Sequence, residues 1–232
     1  MTIFPQTETP LTMPGAAVWY RSNTLPVGAV AAWPNSANAG PAAIVQATGS
    51  YQPICQANQI HNNNAINFNT TNGGTGLALQ SNSTLANVFA GDFTIFTVAK
   101  FTDGILQRLF TFSGTGGYWG AVSFNANNTV QLSFPTGSPL VSRPSTSFNI
   151  YCMYVSGSSC GIQVNNGTFS TASGSVGTPR QNSLFVGSGA APTVVPLIGD
   201  LADIIIFQGK LSSADIISMN RYFSNIYGIA IS

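Results

Sequence analysis

Residues 199–228 read GDLADIIIFQGKLSSADIISMNRYFSNIYG, and this stretch decides the fold. Leu201 to Phe207 is apolar almost throughout and rich in isoleucine, the pattern of a strand buried on both faces. Gln208-Gly209 breaks the run. Ser212 then offers a hydroxyl N-cap with Asp215 three residues on, a capping box in which Asp replaces Glu or Gln. Ile216, Met219, Phe223, Ile226 and Tyr227 recur at helical spacing, so one stripe of a short helix is apolar. Gly228 supplies a left-handed stop. A single helix at the end of a strand-rich chain must lay its stripe on a sheet.

Upstream, the pattern is that of short strands and turns. Ala16–Arg21 starts a sheet, and Phe93–Phe101 alternates well enough for a central strand. Arg108–Ser113 and Tyr118–Asn125 flank Gly114-Thr115-Gly116-Gly117, a hairpin signal, and Thr129–Phe134 follows. Phe148–Val155 and Cys160–Asn165 form another hairpin. Asn166-Gly167 is a tight-turn pair ahead of Thr168–Thr171, and Ser183–Gly187 precedes the last strand. Residues 22–65 are irregular and proline-broken, with room for two short strands near Ala42–Ala47 and Ala65–Phe68. His61-Asn62-Asn63-Asn64 between them reads as a turn. In all, about ten to twelve strands are expected, which argues an all-β sandwich. Residues 1–14, with Pro5, Pro10 and Pro14 among threonines, read as an extended arm, disordered or docked on a neighbour. Residues 15–232 then form one domain.

The C-terminal stretch resembles the signature of the concanavalin A-like lectin/glucanase superfamily, in its laminin-G-like and pentraxin-like branch. The matching residues are Gly199 to Phe207, then Leu211, Ser212 and Asp215, then Tyr227 and Gly228. Val18-Trp19-Tyr20 is similar to the branch's opening strand, and Phe93–Phe101 to its central one. Trp33 to Gly40 resembles a worn W-x-D-x-S-G-N-G turn, with Asn35 where an Asp is usual. The resemblance spans roughly residues 15–229. It implies a two-sheet antiparallel jelly-roll sandwich with one short C-terminal helix. It does not imply one activity, because the fold hosts lectins, glycosidases, lyases and adhesion modules.

Composition narrows the choice. Charged residues are 6% of the 232, against about a quarter in an average chain, and net charge is +1. The seven Lys and Arg are scattered, so no nucleic-acid partner is expected. No apolar run approaches the ~20 residues of a membrane helix, so no membrane insertion is expected. MTIFPQTETPLTMPG has neither a basic n-region nor a long apolar h-region, so no secretory signal is expected. A surface this neutral suits packing against other subunits, contact with neutral sugars, or plain solvation by Asn, Ser, Thr and Gln. With a two-residue turn, Val155 faces Cys160 and Cys152 points to the other side of the sheet, so these two thiols cannot bridge. All three cysteines are expected to be buried and reduced.

Catalytic chemistry finds few reagents. A retaining glycosidase needs two carboxyls ~5 Å apart. The only glutamate, Glu8, lies in the arm, and the aspartates are Asp92, Asp103, Asp200, Asp203 and Asp215. On a regular strand Asp200 and Asp203 point to opposite faces. Asp203 would share a face with Leu201, Ile205 and Phe207, buried and paired with Arg221 on the helix. The single histidine, His61, lacks partners for a triad or a lyase set. Calcium sites need several oxygens, usually two or more carboxylates. Only backbone carbonyls remain to supply them, so no metal and no cofactor is expected. Sugar rings stack on Trp and Tyr while Asn fixes hydroxyls. The candidate ligand-binding residues are therefore Trp33, Asn35, Asn38, Tyr118 and Trp119, the tryptophans having core packing as their other reading. The expectation is a non-enzymatic surface module. It is a structural, decoration or fibre protein of a phage-like virus particle, partnered by its own copies or by capsid and tail proteins, at the virion surface, with cell-surface glycans as ligands. The alternative is a free or cell-surface lectin domain outside the cell, and a polysaccharide-degrading enzyme of the same fold ranks third.

Overall fold

The computed structural model describes residues 9–37, 43–69, 77–81, 88–89, 91–101, 106–114, 117–125, 129–133, 138–142, 146–173, 181–189 and 195–232. These form two antiparallel sheets and one α-helix, an all-β sandwich. The first sheet runs in the order Ser170–Ser173, Ser159–Val164, Asn149–Ser156, Phe93–Phe101, Gly199–Gln208, Asn63–Asn67, Ile54–Ile60 and Gly28–Ala29. Ala16–Arg21 joins it by pairing with Gly199–Gln208. The second sheet runs Leu140–Ser142, Thr129–Ser133, Gly117–Phe124, Gln107–Gly114, Gln181–Val186, Leu79–Ser81, Ile44–Val45 and Ala32–Trp33.

The last strand sits at the centre of the first sheet and is buried from Gly199 to Phe207. Its two faces feed two separate cores. Ile204 and Ile206 point between the sheets, among Ile95, Phe110, Phe112, Phe124 and Tyr151. Ile205 and Phe207 point outward, where the helix Ser213–Tyr227 covers them with Met219, Phe223 and Tyr227. Each such side chain removed from water contributes roughly 1.5–3 kcal/mol. The helix ends are those the sequence predicts. Ser212 Oγ accepts the Asp215 N–H at 3.2 Å and donates to the Asp215 carboxylate at 2.7 Å. Gly228 closes the other end at φ 63°.

The described strands exceed the expected about ten to twelve: residues 22–65 hold more pairing than their prolines suggest, and Leu79–Ser81 and Leu140–Ser142 are short strands elsewhere. Gly28–Ala29, Ala32–Trp33 and Ile44–Val45 are two-residue strands, too short to show a period. Ile54–Ile60 pairs with Asn63–Asn67 through a turn in which His61 and Asn62 both have positive φ. Of the N-terminal arm, residues 1–8 lie outside the described residues. Met13 packs against the helix-side core.

The hairpin of Asn149–Ser156 and Ser159–Val164 has the predicted register, with Val155 opposite Cys160 and Cys152 opposite Gln163. Cys152 lies in the helix-side core and Cys160 between the sheets. All three cysteines are buried and free, and burial pushes each thiol upward.

The final strand departs from regular alternation at Ala202. Its partners on Phe93–Phe101 run Asp200 to Lys100, Leu201 to Ala99, then Asp203 to Val98. Ala202 is the extra residue of a β-bulge. Leu201 therefore faces the inter-sheet core, not the face of Asp203. Asp200 and Asp203 come to lie on the same outer face, because Val98 and Lys100 do. The opposite-face expectation fails for that reason.

Gly199 allows the last strand to close on its neighbour. A Cβ there would lie 2.1 Å from the Lys100 carbonyl oxygen and 2.7 Å from Phe101 Cα. Both are backbone atoms that cannot swing aside. Gly199→Ala is expected to lower the unfolding free energy by about 3 kcal/mol, the upper end of the overpacking range, read from the urea midpoint at unchanged m.

Candidate functional site

The predicted ligand site breaks into three parts. Trp33 has no exposed surface. Its strand pairs with Ile44–Val45, which turns the indole inward against Tyr20, with ring centroids 5.7 Å apart. A ring in that position cannot stack on a sugar, so core packing is the correct reading. Asn35 serves the backbone. Its Oδ1 accepts the Trp19 N–H at 2.8 Å and the Ala37 N–H at 2.9 Å. Ser36 N–H donates to the Trp19 carbonyl at 2.7 Å beside it. Asn35 thus fastens the turn after Ala32–Trp33 to the first strand of the other sheet. Asn38 lies outside the described residues.

Tyr118 and Trp119 sit on Gly117–Phe124, and their side chains lie outside what is described. The backbone register puts Gly117 opposite Gly114 and Tyr118 opposite Ser113, then jumps to Gly120 opposite Phe112. Trp119 is the unpaired residue of a bulge close to the hairpin tip. Bulges recur where a strand re-aims a side chain.

The buried aspartate that the sequence predicts under the helix is there, but with partners other than the one expected. Asp203 is fully buried, and its Oδ2 accepts a 2.6 Å hydrogen bond from the Tyr227 hydroxyl. Arg221 is not its partner. It lies about 200° around the helix from the buried Phe223 and is exposed. The charge facing Asp203 comes from Arg21, its register partner on Ala16–Arg21. The guanidinium lies over the Trp19 ring, 4.3 Å from its centroid. Burial raises the Asp203 carboxyl from 3.8 to about 7, against the Tyr227 hydrogen bond, the Arg21 charge and the nearby Trp19 indole N–H, which all favour ionisation. Burial and the adjoining Asp203 push the Tyr227 hydroxyl up. The clue in the sequence was an aspartate inside an apolar strand with a tyrosine on the covering stripe.

The other described carboxylates are also held. Asp200 pairs with Lys100 at 2.8 Å and accepts from Asn67 Nδ2 at 2.6 Å. Asp92 accepts from Ser156 Oγ at 2.5 Å and Gly157 N–H at 2.9 Å. Asp215 completes the helix cap. Among the described residues no three or more His, Cys, Asp or Glu gather as metal ligands, and no helix is long and apolar enough to cross a membrane. Glu8 and Asp103 lie outside the described residues.

Two outcomes follow from these contacts. Asn35→Ala leaves two backbone N–H groups without their acceptor and is expected to cost about 1–3 kcal/mol of stability in chemical denaturation. For Asp203, the folded chain keeps a proton that the unfolded chain releases above about pH 4. Its contribution is full below that pH, declines as pH rises to about 7, and is level beyond. Asp203→Asn should remove this decline. Denaturation of both proteins from pH 4 to 8 should therefore show the stability difference moving in favour of Asn by a few kcal/mol at most, at about 1.4 per unit.

No family model matches this chain, and no curated protein matches it either. Solved structures do. Trypanosoma rangeli sialidase in complex with the inhibitor DANA superposes with a TM-score of 0.63 at 13% identity, over 94% of this chain and 34% of the sialidase. A mutant of the same sialidase displaying trans-sialidase activity gives 0.63 at 11% identity, over 93% and 34%. Ruminococcus gnavus IT-sialidase CBM40 bound to alpha2,3 sialyllactose gives 0.48 at 13% identity, over 58% of this chain and 85% of that one. The chain spans about a third of the length of the sialidases it resembles. At these identities the likeness is one of fold, a β-sandwich of the jelly-roll kind.

Proposed function

We propose that this chain is a non-enzymatic surface β-sandwich module that recognises and assembles. Its setting is a phage-like virus particle, as a structural, decoration or fibre component displayed at the virion surface, and its ligand chemistry is that of neutral glycans. The observation that carries this reading is the fate of the acids. Every described carboxylate already serves the fold, as an ion pair, a loop tie, a helix cap or a buried hydrogen bond. Glycoside hydrolysis needs two carboxyls free to face one bond, and the described residues offer no such pair.

The charge inventory supports a neutral ligand. An anionic sugar calls for clustered cations. Here Lys100 holds Asp200 and Arg21 is drawn over Trp19, within a total of seven Lys and Arg. With Trp33 buried and Asn35 engaged, recognition falls to Tyr118 and Trp119 at the hairpin bulge. Assembly with its own copies or with capsid and tail proteins rests on the low charge, which leaves little repulsion between copies.

The test is a glycan and cell-wall polysaccharide array, with calcium and then with chelator, beside the solution mass of the chain. The expected result is saturable binding to neutral glycans, unchanged by chelator and weakened at least about tenfold by Trp119→Ala, with a mass above that of one chain. A monomer that binds glycan in this way would be the free lectin. Release of new reducing ends, or a folded monomer that binds nothing, would overturn the proposal.

A further inference from the structure

Three buried polar atoms lie together beneath the end of the C-terminal helix. Trp19 Nε1, Arg21 Nε and Asp203 Oδ1 each lack a hydrogen-bond partner. Register places Arg21 directly across from Asp203, with Trp19 two residues along the same strand and opposite Ile205. The neighbouring strand presents Val98 to Asp203, and that strand's Lys100 is engaged by Asp200. From the helix, Tyr227 donates its hydroxyl, and Tyr222 stands close enough for its ionisation to be raised by Asp203. His61, on the adjoining hairpin turn, packs against the Gly228 cap, where an added Cβ would lie 2.7 Å from its Nδ1. Asp203 is thus a wholly buried carboxyl with one good donor and no ion pair of ordinary length. An ionised carboxylate is costly in such a place, and a neutral one much less so.

We propose that Asp203 is a proton-operated latch for the C-terminal helix, which docks tightly over the sheet when the carboxyl is protonated and loosens when it ionises. The residue bridges the two parts that would separate, since it stands on the central strand and bonds to the last turn of the helix. Ser213–Tyr227 covers Phe96, Val98, Ile205 and Phe207 from outside the sheet and pairs with no strand, so it can loosen without breaking a strand pair. The upward push of burial places the change near neutrality. The direction is fixed: protection of the helix is greatest in mild acid and declines as the pH rises to about 7.

The experiment is amide hydrogen exchange of the whole chain from pH 5 to 8.5, corrected for the intrinsic pH dependence of exchange, together with a carboxyl-carbon NMR titration of Asp203. Helix protection is expected to fall roughly tenfold per pH unit up to the Asp203 midpoint and then to level, while amides of Gly117–Phe124 stay better protected at every pH. Asp203→Asn should give a flat profile. Tyr227→Phe, which removes the donor that favours the ionised form, should shift the midpoint of both readouts to higher pH. Helix protection that ignores pH while Asp203 titrates would sink the proposal, as would an unchanged slope in Asp203→Asn. If helix and sandwich amides open together, Asp203 tunes the stability of the whole molecule and there is no latch. Should the Asn variant not fold, the wild-type exchange and NMR midpoints decide the matter by coinciding or not.

Discussion

A strand that is apolar on both faces has to be covered twice, and Gly199–Gln208 sets this requirement for the whole molecule. One cover is the second sheet, which meets Ile204 and Ile206. The other is the helix, which meets Ile205 and Phe207. The helix would not be stable without the strand, because a short amphipathic helix is marginal alone, and the second sheet would leave its apolar face in water. The bulge at Ala202 adjusts this arrangement. It turns Leu201 into the sandwich and brings Asp200 and Asp203 to the helix side, where one finds a lysine at the margin and the other a tyrosine hydroxyl.

The same scarcity of charge shapes the rest of the chain. In an ordinary domain many carboxylates stand in solvent and decide little. Here each described one has a position that the fold uses, and two of the four are almost fully buried. Work that a charged surface would do passes to amides. Asn35 fastens two sheets, Asn165 accepts the Ile150 N–H and donates to Asn149, and Asn63 donates to the Ile226 carbonyl near the end of the helix. Amide side chains both donate and accept, so they tie loops together without the pH dependence of an ion pair.

Much of this could be read from residue order. The last strand, the N-cap at Ser212, the stop at Gly228 and the register of Val155 with Cys160 are local, fixed by spacing within a few residues. What could not be read depends on partners far along the chain. The two-residue strand Ala32–Trp33 has no period of its own, so only its pairing with Ile44–Val45 decides that the indole faces inward. The bulge at Ala202 leaves no mark in LADIII, and a strict alternation therefore misplaces Leu201 and misjudges which face the two aspartates share. Arg221 was the cation that the covering helix offered to the buried Asp203, yet the one that faces it is Arg21, brought by the first strand. The candidate site suffered most from this. A tryptophan beside asparagines has the same composition whether it lines a groove or fills a core.

The pairing of Ala16–Arg21 with residues 203–207 also governs when the molecule can form. The first strand has its partner almost at the end of the chain, and the central Phe93–Phe101 borrows one flank from the same late segment. During synthesis the emerging polypeptide can close the hairpin of Asn149–Ser156 and Ser159–Val164, yet it cannot complete the first sheet until the final strand has left the ribosome. Contacts so distant in sequence slow folding and leave apolar strands uncovered in the interval. The apolar stretch at 93–101 would have one edge unpaired during that wait, and an unpaired apolar edge is a template for pairing with another chain.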